Sequence, residues 1–105
     1  MPSPAITGNT YRLSVLYNDS HGNAYLNMTK SEFDRITQGK KFSLKIGYND
    51  HIDRISEAYH DHSEGDKLAL FGLGDMLQIS INCGSAAQYL GLKYNKMVML
   101  EIVAA

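Results

Sequence analysis

The sequence predicts an all-β, mostly antiparallel fold: a small closed or nearly closed β-barrel with two short helices. Several short runs alternate apolar and polar residues, with the period of two that half-buried strands show. Turn-forming residues separate these runs at close spacing, and only two segments carry helix signals. Because closure removes exposed sheet edges, many short antiparallel strands favour a barrel.

Composition limits the class of protein. At 105 residues the chain can bury one core without metals or disulfides. Its 10 basic and 11 acidic side chains give a net charge of −1, which argues against nonspecific binding to nucleic acid. No stretch approaches the roughly 20 apolar residues that cross a bilayer, so no membrane partner is expected. The lone Cys83 cannot form an internal disulfide, and a reducing cytoplasm is the expected location.

The first strands are predicted as a hairpin. Proline and glycine mark residues 1–10 as a linker, so the domain is predicted over residues 11–105. A dense turn signal at residues 18–23 joins a strand over residues 11–17 to an extended run over residues 24–28. The alternating apolar positions of the first strand are Tyr11, Leu13, Val15 and Tyr17.

A short helix is predicted after this hairpin. Thr29 and Glu32 have the spacing of a capping box, in which each residue bonds the backbone N–H of the other. Phe33 and Ile36 would then share one helix face. Gly39 suits the left-handed residue that closes a helix.

The remaining strands follow from the same alternation. They are predicted at residues 42–46, 52–59, 67–71, 77–81 and 96–103. Residues 72–75 interrupt two of them, and Ser85 can cap a second short helix that Gly91 ends. The alternation places Leu44, Ile46, Leu77, Ile79 and Ile81 inward, and Lys45, Gln78 and Ser80 outward.

The spacing of the histidines and of the cysteine gives little support for a metal site or for a cysteine nucleophile. His60 and His62 flank Asp61 and could ligate a divalent metal, but no second ligand pair stands out, and a solvated loop explains them. Cys83 with a histidine could form a nucleophile and base, but a small half-buried residue at a strand end is the simpler role. We therefore expect no metal.

Three turns or strand ends contain asparagine or tyrosine, the residue types that can bind a nucleoside. They are residues 22–27, 58–59 and 82–85. Asparagine offers donors and acceptors, tyrosine offers a flat face, and strand-end backbone groups can pair with the edge of a base. These parts suit adenosine, although turns of asparagine and glycine and lone tyrosines are more often structural than functional.

Three separated motifs carry a family resemblance. Residues 64–72, residues 77–93 and the upstream segment 19–29 resemble the C-terminal domain of the S-adenosylmethionine hydroxide adenosyltransferases, relatives of the fluorinating and chlorinating enzymes. The resemblance covers roughly residues 11–103, with the motifs in the family's order.

The resemblance implies one part of a two-domain enzyme. An N-terminal α/β domain, absent from this chain, would carry the catalytic Asp, Arg and His, so no catalytic residue is expected here and the isolated chain should be inactive. Water or hydroxide would displace methionine at the ribose C5′ of S-adenosylmethionine and leave adenosine. S-adenosylmethionine is then the substrate, with no further cofactor. The full-length enzyme would be a homotrimer with its site between subunits.

The resemblance also assigns binding residues. Asn23 matches the ribose-side asparagine, Tyr25 an aromatic wall, and Tyr59 the aromatic that stacks on adenine. The backbone around Ile81, Asn82 and Cys83 matches the edge that pairs with the base.

The chain also departs from the family pattern. Leu73, Gly74 and Asp75 stand where the family usually has small residues, and Gln78 stands where it usually has Glu. The bulky Leu73 would lie beside the adenine and could change the shape of the site. The alternative is a stand-alone or degenerate barrel that binds a nucleoside or organises oligomers without catalysis.

Overall fold

The computed structural model describes residues 5–7, 10–47, 49–57 and 63–103. Eight strands and two helices lie in these residues. The strands are β1 (Ala5–Thr7), β2 (Thr10–Asn18), β3 (Ala24–Thr29), β4 (Lys41–Ile46), β5 (Asp50–Ile52), β6 (Lys67–Phe71), β7 (Met76–Ile81) and β8 (Met97–Val103). The helices are α1 (Lys30–Thr37) and α2 (Ala86–Tyr89), and a 3₁₀ turn covers Leu73–Asp75.

Seven strands follow one antiparallel path. Their order is β5-β4-β8-β2-β3-β7-β6, and β1 pairs with β2 beside this path. The two end strands approach each other, since Lys67 Nζ on β6 lies 3.6 Å from Asp50 Oδ1 on β5. Beyond β5 the backbone N–H of Ser56 donates to the carbonyl of Ala69 at 2.7 Å. The sheet is therefore a nearly closed, all-β barrel, which confirms the predicted fold class.

The barrel core contains the side chains that the alternation placed inward. Leu44, Ile46, Leu77, Ile79 and Ile81 all belong to the buried hydrophobic cluster. Burying a side chain of this size contributes about 1.5–3 kcal/mol. Lys45 on the opposite face is exposed and pairs with Glu101 at 2.9 Å.

The outer face of β7 is also buried, which the alternation does not reveal. Gln78 and Ser80 lie on the face opposite the core, as predicted, but they are only 3% and 0% exposed. Gln78 stands beside Tyr25 of β3 and Leu70 of β6 in the sheet. Its Nε2 donates to Ser80 Oγ at 2.8 Å. Because each polar group has a partner, a central strand can bury them on its second face.

The alternation in β2 ends at a bulge. Leu13 and Val15 are buried in the core, but the pairing register with β3 shifts between Val15 and Tyr17. Tyr17 is therefore opposite Tyr25 and 39% exposed, instead of sharing the core face of Val15. An extra residue in one strand of an antiparallel pair has this effect.

Both predicted helices are present. Glu32 N donates to Thr29 Oγ1 at 3.3 Å and Thr29 N donates to Glu32 Oε1 at 3.1 Å, which confirms the capping box of α1. The left-handed residue that closes α1 is Gln38, with φ of 49°, one position before the predicted Gly39. None of the helices in the described residues is long and apolar enough to cross a membrane.

Three predicted boundaries differ in the structure. The segment predicted as a linker contains β1, which pairs with residues 10–12. The predicted strand over residues 52–59 is reduced to β5, which ends at Ile52, and to an isolated bridge at Ile55; residues 58–59 lie outside the described residues. The last strand starts at Met97, one residue later than predicted.

Candidate functional site

A groove of about 480 Å³ lies between two turns at one end of the barrel. One turn, residues 19–23, joins β2 to β3, and the other, residues 82–84, follows β7. The groove is lined by His21, Asn23, Ile81, Cys83 and Gly84. Two of the residues assigned from sequence, Asn23 and Cys83, therefore meet on one surface although 60 positions separate them.

The first turn is held in place by the start of α2. The carbonyl of Gly22 accepts from the backbone N–H of Ala87 at 2.8 Å. Gly22 has φ of +82°, and a Cβ there would overlap with Ser85 Oγ. Ser85 caps α2 as predicted, since its Oγ accepts from Gln88 N at 3.2 Å. Only glycine fits this contact, which fixes the distance between the groove walls.

Asp19 organises the same turn. Its Oδ1 accepts from the backbone N–H groups of His21 and Asn23, both at 3.0 Å. Its Oδ2 accepts from Asn23 Nδ2 at 2.9 Å and from the hydroxyl of Tyr25 at 3.1 Å. Partial burial raises the pKa of Asp19, but the hydrogen bonds from Asn23, Tyr25 and His21 outweigh it and hold the pKa below its ordinary value. The carboxylate is thus ionised at neutral pH.

Tyr25 is a buried part of this network. It is 7% exposed and stacks on Tyr17, with ring centroids 4.5 Å apart and planes 6° from parallel. The more exposed face of the pair belongs to Tyr17. Tyr25 was expected as an aromatic wall of the pocket. Its hydroxyl donates to Asp19, and it is not among the described residues that line the groove.

The second turn presents the backbone of Cys83. Both backbone groups of Asn82 are already bonded, its N–H to the carbonyl of Asp66 at 2.9 Å and its carbonyl to the N–H of Gly65 at 2.8 Å. Within the described part of the chain, no backbone hydrogen bond uses the N–H or carbonyl of Cys83. Cys83 has φ of 60° and is exposed, not half-buried as expected, because it stands in the turn after β7. Of the two residues, Cys83 is therefore the one whose backbone groups are not bonded to other backbone groups in the described part of the chain.

Other predicted residues lie elsewhere. The backbone of Leu73 begins the 3₁₀ turn, which precedes β7, whereas residues 82–84 follow it, so the full strand separates them. Tyr59 and residues 60–62 lie outside the described residues. Within those that are described, no group of three His, Cys, Asp or Glu side chains could hold a metal.

Sequence reasoning missed Asp19 and left His21 unassigned. Both belong to a segment whose turn composition was clear, and the spacing of Asp19 four residues before Asn23 is a signal for side-chain bonding within a turn. Nothing in the sequence around His21 indicates that it lines the groove, because its position depends on how the turn packs against α2.

A second groove of about 530 Å³ adjoins the first and shares the wall at residues 81–84. The charged side chains that line it are Asp50, Glu64, Asp66 and Lys67. Asp50 and Lys67 pair with each other, and Asp66 Oδ2 accepts from the backbone N–H of Ser63 at 3.1 Å. Of the two grooves, only the first contains both Asn23 and Cys83 among its described lining residues, so it is the better match to the residues assigned from the sequence.

Comparison with known proteins agrees with this fold. A family model described as the SAM hydroxide adenosyltransferase C-terminal domain matches residues 13–99. An uncharacterized conserved protein from Thermotoga maritima is similar in structure, with a TM-score of 0.77, 20% identity, and coverage of 95% of this chain and 39% of that chain. A conserved hypothetical protein from Thermus thermophilus has a TM-score of 0.65 and 22% identity, over 88% of this chain and 34% of that chain. The chain thus spans well under half the length of either protein, and the likeness is one of fold.

Proposed function

Because this chain belongs to the family of SAM hydroxide adenosyltransferase C-terminal domains, we propose that it is the adenosine-binding domain of an S-adenosylmethionine hydrolase. In the proposed reaction, water or hydroxide attacks the ribose C5′, methionine leaves, and adenosine remains. S-adenosylmethionine is the substrate and no other cofactor takes part. The catalytic groups belong to an N-terminal domain of the same enzyme, which works as a homotrimer in the cytoplasm.

One observation carries this proposal: the groove brings Asn23 and the backbone of Cys83 together. Because Nδ2 of Asn23 donates to Asp19, its Oδ1 is the atom that can accept from a ribose hydroxyl. The N–H and carbonyl of Cys83 offer one donor and one acceptor, the pair that the edge of adenine needs. A space of about 480 Å³ is within the usual range for small ligands.

The binding experiment is calorimetry with adenosine. We expect weak binding, because an open groove leaves much of the ligand in contact with water. Asn23→Ala should weaken adenosine binding about tenfold, since one lost hydrogen bond is worth about 1 kcal/mol or slightly more. Asn49→Ala is the matched control, because Asn49 is exposed in the turn between β4 and β5.

Two results would contradict the proposal. One is an absence of saturable adenosine binding by the folded wild-type chain at millimolar ligand. The other is equal binding of adenosine and uridine, because a groove that recognises the adenine edge must distinguish these bases. A thermal melt of each variant separates lost binding from lost folding.

A further inference from the structure

We propose that the barrel opens locally at the junction of its two end strands, β5 and β6, while the rest of the sheet stays folded. This junction, called the seam below, consists of residues 50–57 on one side and residues 67–69 on the other. The ion pair between Asp50 and Lys67 holds the seam closed. The inference concerns a motion of the fold and does not depend on the proposed function.

The first step concerns the direction of the strands. Each strand along the path from β5 to β6 is antiparallel to its neighbour, so the two end strands of this seven-strand path run in the same direction. The bridge between Ile55 and Ala69 is accordingly parallel. Parallel pairing is slightly less stable per residue than antiparallel pairing. The seam therefore begins with a disadvantage that the other junctions of the path do not have.

The second step concerns the backbone pairing. Residues 41–45 of β4 pair continuously with residues 99–103 of β8, and residues 67–71 of β6 pair continuously with residues 77–81 of β7. At the seam, the described residues pair through an isolated bridge, in which Ser56 N donates to the carbonyl of Ala69 at 2.7 Å. Opening the seam thus breaks much less backbone pairing than separating β4 from β8 or β6 from β7.

The third step concerns the side chains of residues 53–57, which follow β5. Ile55 is the one apolar side chain of this segment, and it is only partly buried. Asp53, Arg54 and Glu57 are exposed. Because the free energy gained from burial grows with the apolar area removed from water, this segment contributes little to hold the barrel closed.

The fourth step concerns the open space along the seam. Asp50 and Lys67 both line the second groove. Lys67 also lines a separate pocket of about 190 Å³, whose other walls include Ile52, Ser56 and Leu68. Side chains that face open space have no packing partners there. Because Asp50 and Lys67 stand on opposite sides of the seam, its opening also widens the second groove.

The fifth step concerns the ion pair. Lys67 Nζ lies 3.6 Å from Asp50 Oδ1, and both side chains are partly exposed, so the pair is weak. Lys45 and Glu101 form an exposed pair of the same chemistry at 2.9 Å. This second pair joins β4 to β8, which are paired along their length. It therefore provides a control in which an ion pair is lost away from the seam.

The test uses buried thiols, which react with a reagent such as dithiobis-nitrobenzoate when the structure opens. Cys83→Ser first removes the exposed natural thiol. In this background, Ser56→Cys places a thiol at the seam and Ser80→Cys places one on β7; the two serines are 7% and 0% exposed. We expect Ser56→Cys to react at least about 100-fold faster than Ser80→Cys, because opening the seam requires less free energy than unfolding the sheet.

Urea and two further variants identify the kind of opening. Labelling of Ser80→Cys should rise steeply with urea, whereas labelling of Ser56→Cys should change little, because little surface becomes exposed at the seam. Adding Lys67→Gln should speed the labelling of Ser56→Cys about three- to fivefold. Adding Lys45→Gln should leave that rate within about 1.5-fold, because its ion pair does not cross the seam.

Hydrogen exchange measures the same opening on the unmodified chain. The amide of Ser56 should exchange at least about 100-fold faster than the paired amides of β7, with little dependence on urea. This measurement decides the matter if a cysteine variant does not fold.

The outcomes separate the opening from the role of the ion pair. Equal rates at the two sites, with equally steep dependence on urea, would mean that the seam opens only when the whole chain unfolds, and the proposal would be overturned. Fast labelling of Ser56→Cys that Lys67→Gln changes no more than Lys45→Gln does would overturn the role of the ion pair.

Discussion

At the scale of single residues, the candidate site depends on one carboxylate in the turn between β2 and β3. Asp19 accepts hydrogen bonds both from Asn23, which lines the groove, and from the buried Tyr25. Hydrogen bonds to a charged acceptor are stronger than those between neutral groups. The side chain that orders the groove is therefore also one that stabilises the fold.

The stability of the chain should depend on the ionisation of Asp19. Its pKa is lower in the folded chain than in the unfolded chain, so its contribution is fully present above about pH 4 and is lost as the pH falls through the folded pKa. We expect the difference in free energy of unfolding between wild type and Asp19→Asn to be constant from about pH 7 to pH 5 and to shrink below about pH 4. Urea unfolding at each pH measures it.

Ser20→Ala is the control for this titration. Ser20 is exposed in the same turn and has no ionisable group, so its difference from wild type should not vary with pH. A difference for Asp19→Asn that stays constant down to about pH 2 would contradict the assignment.

Some residue-level properties could be predicted from the sequence and some could not. The convergence of Asn23 with Cys83 was expected, because both belong to segments with nucleoside-like chemistry. The bonded backbone of Asn82 was not, because it depends on residues 65–66, which meet residue 82 only in the folded sheet. The exposure of Cys83 was not either, because it follows from the turn after β7.

At the scale of elements, local patterns identified most strands and both helices. The capping box of α1 and the alternation of β4 and β7 are local signals, and the structure confirms them. The bulge in β2 and the early end of β5 had no such signal. Both depend on which neighbouring strand is available for pairing, and that is decided by the whole sheet.

The docking of the first turn onto α2 gives an element-level prediction. In Gly22→Ala the new methyl group meets Ser85 Oγ and the residue must keep a left-handed backbone, so we expect a loss of about 3 kcal/mol in the free energy of unfolding. Adenosine binding should also weaken, because the groove walls separate. Chemical unfolding and calorimetry measure the two effects.

Gly39→Ala isolates the backbone cost. Gly39 has φ of +76°, and among the described residues nothing lies within 4 Å of a Cβ there. This variant should lose only about 1 kcal/mol, the usual cost of a left-handed alanine. Equal losses for the two variants would mean that the contact with Ser85 does not hold the turn.

At the scale of the whole molecule, the proposed function makes the barrel one wall of a site. The chain matches 39% of the length of the Thermotoga maritima protein, and its groove is open to solvent. A closed site excludes water and orients the nucleophile, and a single open wall does neither.

The isolated chain should therefore not hydrolyse S-adenosylmethionine. Incubation of the purified chain with S-adenosylmethionine should release no adenosine above the rate without protein, as measured by chromatography. A preparation of Asn23→Ala purified in the same way controls for contaminating enzymes. Adenosine release by the wild-type chain that this variant lacks would show that the chain is catalytic by itself.

The bulge in β2 has a consequence for how this domain tolerates change. Residues before it direct alternate side chains into the core, and Tyr17 after it joins the aromatic layer on the outside. The extra residue thus changes which positions of the strand point to the core on its two sides. Deletion of Leu16 would make the pairing with β3 regular and leave Tyr17 opposite Tyr25 on the outer face. Deletion of a residue elsewhere in β2 would instead exchange the two faces of part of the strand. The bulge is therefore the place in β2 where the loss of one residue should disturb the core least.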